Sequence, residues 1–124
     1  MLSTGVDIIE IDRVRQVLEQ YGQRFLNRVF TPGEIEYCRG RASNLAARFA
    51  AKEATMKALG TGMRGVGWKD IEVVRYDSGA PAIKLHKRGA SRAQRLAVQE
   101  ISISLSHSRE YAVAFVVVRR EDSE

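Results

Sequence analysis

Among 124 residues there are one cysteine, two prolines, two histidines and one tryptophan, and these shortages close several routes. Cys38 has no second thiol in its chain, which excludes an intrachain disulfide and a cysteine-based metal cluster. A lone cysteine fits a reducing compartment, and its expected role is that of a buried small hydrophobe. His86 and His107 fall on different predicted elements, so a histidine-rich metal site is excluded as well. Long apolar runs are also missing. The longest, Ala112 to Val118, is far short of the ~18 residues that a membrane span needs. Asp7 and Glu10 stand where a secretory signal would carry a basic and then an apolar segment, so a soluble, cytoplasmic protein is expected. There is no Walker loop, no dinucleotide-binding glycine fingerprint after a strand and no Gly-x-Ser-x-Gly elbow. The aromatics are not interleaved with arginines as a base-stacking platform requires. With no repeat, low-complexity tract or linker, one domain over residues 1–124 is expected.

What the chain does have is positive charge, a formal +5. An anionic partner follows from that balance. Arg13, Arg15, Arg24, Arg28, Arg39 and Arg41 crowd the first third of the sequence. Charge alone fits nucleic acid, an acidic protein surface or a phosphorylated ligand.

The hydrophobic pattern predicts a mixed fold. Leu2 to Ile9 reads as a strand, with Asp7 at its end and Gly5 allowing close backbone approach. Ile11, Val14, Val17, Leu18 and Tyr21 recur at helical spacing up to Gly22. A short helix follows over Arg24 to Phe30. Thr31-Pro32-Gly33-Glu34 carries a capping signal: a threonine cap, proline at the first helical position and a glutamate that reaches back. After that short helix, a long one is expected from about Ser43 to Leu59. Ile71–Tyr76 and Ala82–Leu85 read as strands around an Asp77-Ser78-Gly79 turn, and Ala90 to Val98 as a helix. Ile101, Ile103 and Leu105 alternate with serines, the period of a half-buried strand, and Tyr111 to Val118 forms a last strand apolar on both faces. The predicted class is α+β with a small, mainly antiparallel sheet. Either the chain's own helices or identical subunits must cover both faces of that last strand.

The chemistry concentrates in Arg48 to Gly62. Glu53 and Lys57 are four residues apart on the long helix and share a face, an arrangement that on a surface is an ordinary ion pair. Gly60-Thr61-Gly62 follows; glycines there usually cap a helix, and they also permit a phosphate to approach. Asp7, paired in space with Glu53, is a candidate for magnesium, which typically takes one or two carboxylates and fills its octahedron with water and phosphate oxygens. His107 follows the alternating strand within Ser104-Leu105-Ser106-His107-Ser108, among hydroxyls suited to a phosphate. His86-Lys87-Arg88 reads as ordinary basic surface.

Three blocks carry a resemblance: Gly5-Val6-Asp7-Ile8-Ile9-Glu10-Ile11-Asp12-Arg13, Arg48 through Gly62, and Ile103 to Val117 with its Ser-His-Ser. Phe30-Thr31-x-x-Glu34 and Gly79-Ala80-Pro81 fit the same pattern. Together they resemble the holo-acyl-carrier-protein synthases, the short bacterial class of phosphopantetheinyl transferases, nearly end to end. The resemblance implies that family's fold and transfer of 4′-phosphopantetheine from coenzyme A to a serine of an apo-acyl carrier protein, in fatty acid biosynthesis. Adenosine 3′,5′-bisphosphate would be the other product. It further implies that Asp7 and Glu53 hold magnesium on the coenzyme A pyrophosphate. Lys57 would contact the phosphates, and Glu53 would be the base for the serine hydroxyl, directly or through water. Arg48, Gly60, Thr61, Gly62, Pro81, Ser106, His107 and Ser108 would line the coenzyme A site. Arg13, Arg24, Phe25 and Arg28 would meet the acidic carrier.

Longer members of the superfamily hold two such units in one chain. By resemblance this chain, with one unit, would form a homotrimer in which His107 faces Asp7 and Glu53 of another subunit. Ile9 stands where the longer class has a further metal-binding glutamate. Nucleic acid and membrane are not among the implied partners. The competing reading is a non-catalytic basic protein that binds nucleic acid or an acidic protein.

Overall fold

The computed structural model describes residues 1–61 and 65–121. Strand β1 (Leu2–Glu10) runs directly into α1 (Ile11–Tyr21), and Gly22, at φ 54°, breaks the chain into α2 (Gln23–Val29). Helix α3 (Pro32–Cys38) begins with the predicted capping box. Thr31 accepts from the Glu34 backbone, and Glu34 accepts from the Thr31 backbone. Arg39, at φ 49°, then turns the chain toward the long α4 (Ala42–Leu59). A 3-10 turn (Trp68–Asp70) leads into the hairpin β2 (Ile71–Arg75) and β3 (Pro81–Leu85). Helix α5 (Lys87–Arg95), β4 (Val98–His107) and β5 (Tyr111–Arg120) complete the order.

The α+β class holds, but the strands form two antiparallel sheets. One has the order β1-β5-β4, and the hairpin β2-β3 is separate. The helix expected over Ala90–Val98 lies earlier, because Ala97 at φ 55° ends it and releases Val98 into β4. Asp7 is not at the end of its strand. Ile8 and Ile9 go on pairing with Val113 and Ala112, which leaves Asp7 in mid-strand opposite Ala114.

Alternation along the strands sorts the three-stranded sheet into two unlike faces. Gly5, Ala112, Ala114, Val116 and Val118 face α4 and are buried. The small residues of α4 let it lie close: a Cβ on Gly5 would stand 1.9 Å from the Ala54 carbonyl oxygen. Ala54 and Ala58 therefore lie against the β1 backbone at Gly5, Ala50 is buried in the same cluster, and Ser3 Oγ donates to the Ala58 carbonyl at 2.9 Å. The opposite face stays open in the single chain. There Val6, Ile8 and Phe115 are 52%, 63% and 45% exposed. Thus the chain's own helices cover only one side of the doubly apolar last strand.

Cys38 is fully buried in the cluster around Ile11, Phe30 and Leu45, as its composition-level role predicts. Burial pushes its thiol above the ordinary value, opposed by the Arg48 charge. Among the described residues no helix is long and apolar enough to cross a membrane.

Candidate active site

Lys57 and Glu53 do not pair with each other. Lys57 Nζ reaches across to β1, donating to the Val6 carbonyl at 2.9 Å and lying 3.2 Å from Asp7 Oδ1. Glu53 turns the other way and accepts the indole N–H of Trp68 on Oε1 at 3.2 Å. The i,i+4 spacing supplies the common face, but each group has found a partner on another element. Strand β1 places Asp7 there because Gly5 seats the strand against α4, and the even alternation turns Asp7 toward the helix.

The second oxygens, Asp7 Oδ2 and Glu53 Oε2, take no hydrogen bond from the described residues. Two hard carboxylate oxygens on one side of α4 suit a magnesium ion that keeps water or phosphate as its other ligands. Among the described residues, no group of three or more His, Cys, Asp or Glu is placed to hold a metal. A fully protein-ligated metal has no cage among the described residues, whereas the donor chemistry, two carboxylates each with an oxygen to spare, suits magnesium.

Gly60 ends α4 at φ 71°, with its N–H on the Lys57 carbonyl, and the Thr61 N–H returns to Met56 O at 3.1 Å. This is helix capping. Arg92 of α5 donates to the Leu59 carbonyl from Nη2 at 3.2 Å and locks the same end. Gly62 lies outside the described residues.

Arg48 points away from this group. It is nine residues from Lys57, about two and a half turns, and so lies on the opposite side of the helix. Its guanidinium sits 4.3 Å over the Tyr37 ring, which also receives Arg75 at 5.0 Å and Arg41 at 5.7 Å. Three guanidinium groups around one phenol ring form a second cationic cluster, which the sequence order conceals because Arg75 comes from the hairpin.

The Ser106-His107-Ser108 run does not converge on one surface. His107, opposite Ala112, is on the α4 side of the sheet, and Ser106, opposite Val113, is on the open side. Ser108 Oγ accepts the backbone N–H groups of Glu110 and Tyr111 at 3.3 and 3.1 Å, and so serves the β4–β5 turn. His107 Nδ1 donates to the Ser108 carbonyl at 3.3 Å. Strand β5 lies between His107 and Asp7, two strand spacings or about 9.5 Å of sheet. Pro81 opens β3 and lines a groove of about 640 Å³ between the hairpin and β4, with Tyr76, Ile83, Ile101 and Ser102 among its walls.

Arg24, Phe25 and Arg28 do come together, lining a groove of about 310 Å³ with Val17 and Tyr21. Phe25 is half-buried, its ring edge-on to Phe30 at 5.7 Å between centroids. Arg13 is exposed on α1 and does not line that groove.

Sequence reasoning missed the polar interior. Lys52 and Glu34 form a fully buried ion pair at 2.7 Å. Lys52 also donates to the carbonyls of Trp68 and Ile71, while Glu34 accepts from the Thr31 and Val73 backbones. All three ammonium protons therefore have acceptors. Burial pushes the Lys52 ammonium below its ordinary value, and Glu34 opposes that. The capping box was the readable half of this pair; nothing local marks Lys52. His86 is likewise not plain surface, because its Nε2 lies 2.9 Å from Glu72 Oε1. Burial alone would raise Glu72, but hydrogen bonds from Thr31 and His86 outweigh it and hold the carboxyl below its ordinary value.

Residues 3–116 match the 4′-phosphopantetheinyl transferase superfamily. The chain belongs to that superfamily. It is 48% identical over 122 residues to the holo-[acyl-carrier-protein] synthase of Koribacter versatilis, covering 95% of this chain and 98% of that one. Its identity to the Gloeobacter violaceus protein of the same name is 52% over 118 residues, covering 92% and 89%. The fold is similar to that of Helicobacter pylori holo-[acyl-carrier-protein] synthase in complex with coenzyme A. That match has TM-score 0.86 at 34% identity and covers 94% of this chain and 99% of the other. Within the superfamily the chain is an enzyme of the holo-[acyl-carrier-protein] synthase type.

Proposed function

We propose that this transferase moves 4′-phosphopantetheine from coenzyme A to a serine of an apo-acyl carrier protein in the cytoplasm, in support of fatty acid biosynthesis. The observation that carries the reading is the contact of Lys57 with Asp7 at 3.2 Å, with Glu53 one turn earlier on the same helix and one oxygen of each carboxylate taking no hydrogen bond from the described residues. Asp7 and Glu53 would hold magnesium, whose contribution when bound is to offset charge on the coenzyme A pyrophosphate. Phosphoryl transfer depends on placement and charge neutralisation more than on covalent work by the protein. The serine oxygen attacks the phosphorus bearing pantetheine, and the bond from that phosphorus to the bridging oxygen breaks. Adenosine 3′,5′-bisphosphate departs with that oxygen. Glu53 receives the serine proton, directly or through water, while Lys57 balances or protonates the departing phosphate.

The open sheet face supports a second element of the reading. Val6, Ile8 and Phe115 form an apolar surface that a second and third copy would cover, and large exposed apolar surface marks association. In a homotrimer His107, two strands from Asp7 in its own chain, would complete the site of a neighbour. Arg48, with Arg41 and Arg75 around Tyr37, is the proposed holder of a further coenzyme A phosphate. Gly60, Thr61, Gly62, Pro81, Ser106 and Ser108 are proposed as wall residues, and Arg13, Arg24, Phe25 and Arg28 as carrier contacts. All these roles belong to one domain spanning residues 1–124.

The decisive experiment incubates the protein with coenzyme A, magnesium and an apo-acyl carrier protein and weighs the carrier. The carrier gains the mass of one phosphopantetheine, and gains none when magnesium is chelated. An unchanged mass across several carriers would overturn the proposal.

A further inference from the structure

Lys52 and Glu53 are consecutive residues of α4, and they grip opposite ends of the same tryptophan. Lys52 Nζ holds the Trp68 carbonyl at 2.9 Å, and Glu53 Oε1 holds its indole N–H at 3.2 Å. The residue is fixed on its other sides too. The Trp68 ring packs against Phe49, 5.9 Å between centroids, and the turn carrying it is closed by the Gly67 N–H on Asp70 Oδ2 at 2.9 Å. Lys52 itself cannot drift, because it is buried against Glu34, and Glu34 is tied to the Thr31 and Val73 backbones.

From this geometry we infer that Trp68 is a positioning residue for the Glu53 carboxylate, held in place by the buried Lys52–Glu34 pair. The inference rests on the reading of Glu53 as a magnesium-holding carboxylate. An indole has one N–H and no acceptor, and here that single donor is spent on Glu53 Oε1, which fixes the direction of the carboxylate. A glutamate side chain has several rotatable bonds, and those rotamers must be given up each time a cation is to be held. The indole selects one of them in advance and leaves Oε2 for the ion. Partners of this outer kind orient metal ligands, and losing one typically costs about 10–100-fold in metal affinity or activity.

Trp68→Phe is the informative substitution. It keeps a ring against Phe49 and the backbone carbonyl on Lys52, and it removes the N–H. The magnesium concentration for half-maximal turnover should rise about 10-fold, with kcat at saturating magnesium changed much less. A second readout does not depend on turnover. Trp68 is the only tryptophan, so the wild-type ¹H–¹⁵N spectrum has one indole resonance. That resonance should move when Glu53→Gln is introduced without ligand, and again when magnesium and coenzyme A bind the wild type. An indole resonance unmoved by Glu53→Gln would overturn the inference. So would a wild-type magnesium dependence in Trp68→Phe while Glu53→Gln has lost turnover, an outcome that leaves the metal reading standing. Wild-type turnover in Glu53→Gln would instead overturn the metal reading, and the inference with it. If Trp68→Phe does not fold, the indole resonance decides.

Discussion

Lys57 Nζ lies 3.2 Å from Asp7 Oδ1, so the long helix and the first strand meet through a cation and a carboxylate that sequence separates by fifty positions. The Lys57 side chain is 55% exposed, and a pair this open to solvent contributes at most about 1 kcal/mol to stability. In the proposed reaction its weight falls on catalysis. Lys57→Ala should lower kcat by about 10²–10³-fold, the usual cost of removing one group that meets developing charge. Glu53→Gln should lose magnesium-dependent turnover with little change in shape. Carrier mass against time measures the rates, and thermal unfolding checks that both variants are folded.

If His107 completes a neighbour's site, two crippled chains should rescue each other. Glu53→Gln and His107→Ala homo-oligomers, each inactive, should regain activity after mixing under conditions that let subunits exchange. A mixed trimer then contains at least one site with both intact residues. Mixtures as inactive as their parents, after exchange is verified by mass, would place the whole site within one subunit.

Gly5→Ala should be among the most damaging single-methyl changes in the chain. The new Cβ would be 1.9 Å from the Ala54 carbonyl oxygen, where it meets backbone that cannot rotate away. Overpacking of this kind costs about 1–3 kcal/mol and more when nothing yields. Urea unfolding should show the loss. Magnesium dependence should also suffer, because Asp7 sits two residues along the displaced strand.

Glu72 should make stability fall in acid. Its folded carboxyl is held below the ordinary value of 4.5 by Thr31 and His86, so the folded state binds fewer protons than the unfolded one near that pH. The stabilisation is present above the ordinary value and is lost as pH falls through the folded one. The gap in unfolding free energy between wild type and Glu72→Gln should therefore be widest near neutrality and shrink below about pH 4.5. Urea titrations of both proteins across that range check it, and a gap independent of pH would show that Glu72 carries no such linkage.

Elements whose reasons are local were legible in the sequence. The capping box at Thr31 and Glu34, the stop at Gly22, the serine alternation of β4 and the extent of α4 all depend on neighbours within a few residues. Asp7, Glu53 and Lys57 stand out in the sequence because their residue types and order carry a resemblance, whereas their actual partners do not stand out. The i,i+4 rule predicts a Glu53–Lys57 pair; Trp68 and Asp7 compete for those groups from other elements and win. Lys52 could not be recognised as buried, because the acceptors that make burial tolerable come from α3, the 3-10 turn and the start of β2. The β4–β5 turn shows the opposite failure. Ser106, His107 and Ser108 read as one cluster in a line of text, yet a strand turns successive side chains to opposite sides.

Every side of α4 already has an occupant. Ala50, Ala54 and Ala58 are pressed on the sheet, Lys52 closes the buried pair, Arg48 stacks on Tyr37, Glu53 holds Trp68 and Lys57 holds Asp7. A helix so committed has almost no freedom to vary without cost. Under the proposed carrier contacts, drift in carrier preference, whether natural or imposed in the laboratory, would be channelled to the exposed arginines of α1 and α2. Those side chains would change charge without disturbing α4, so substrate choice and catalytic power would evolve on separate parts of one small chain.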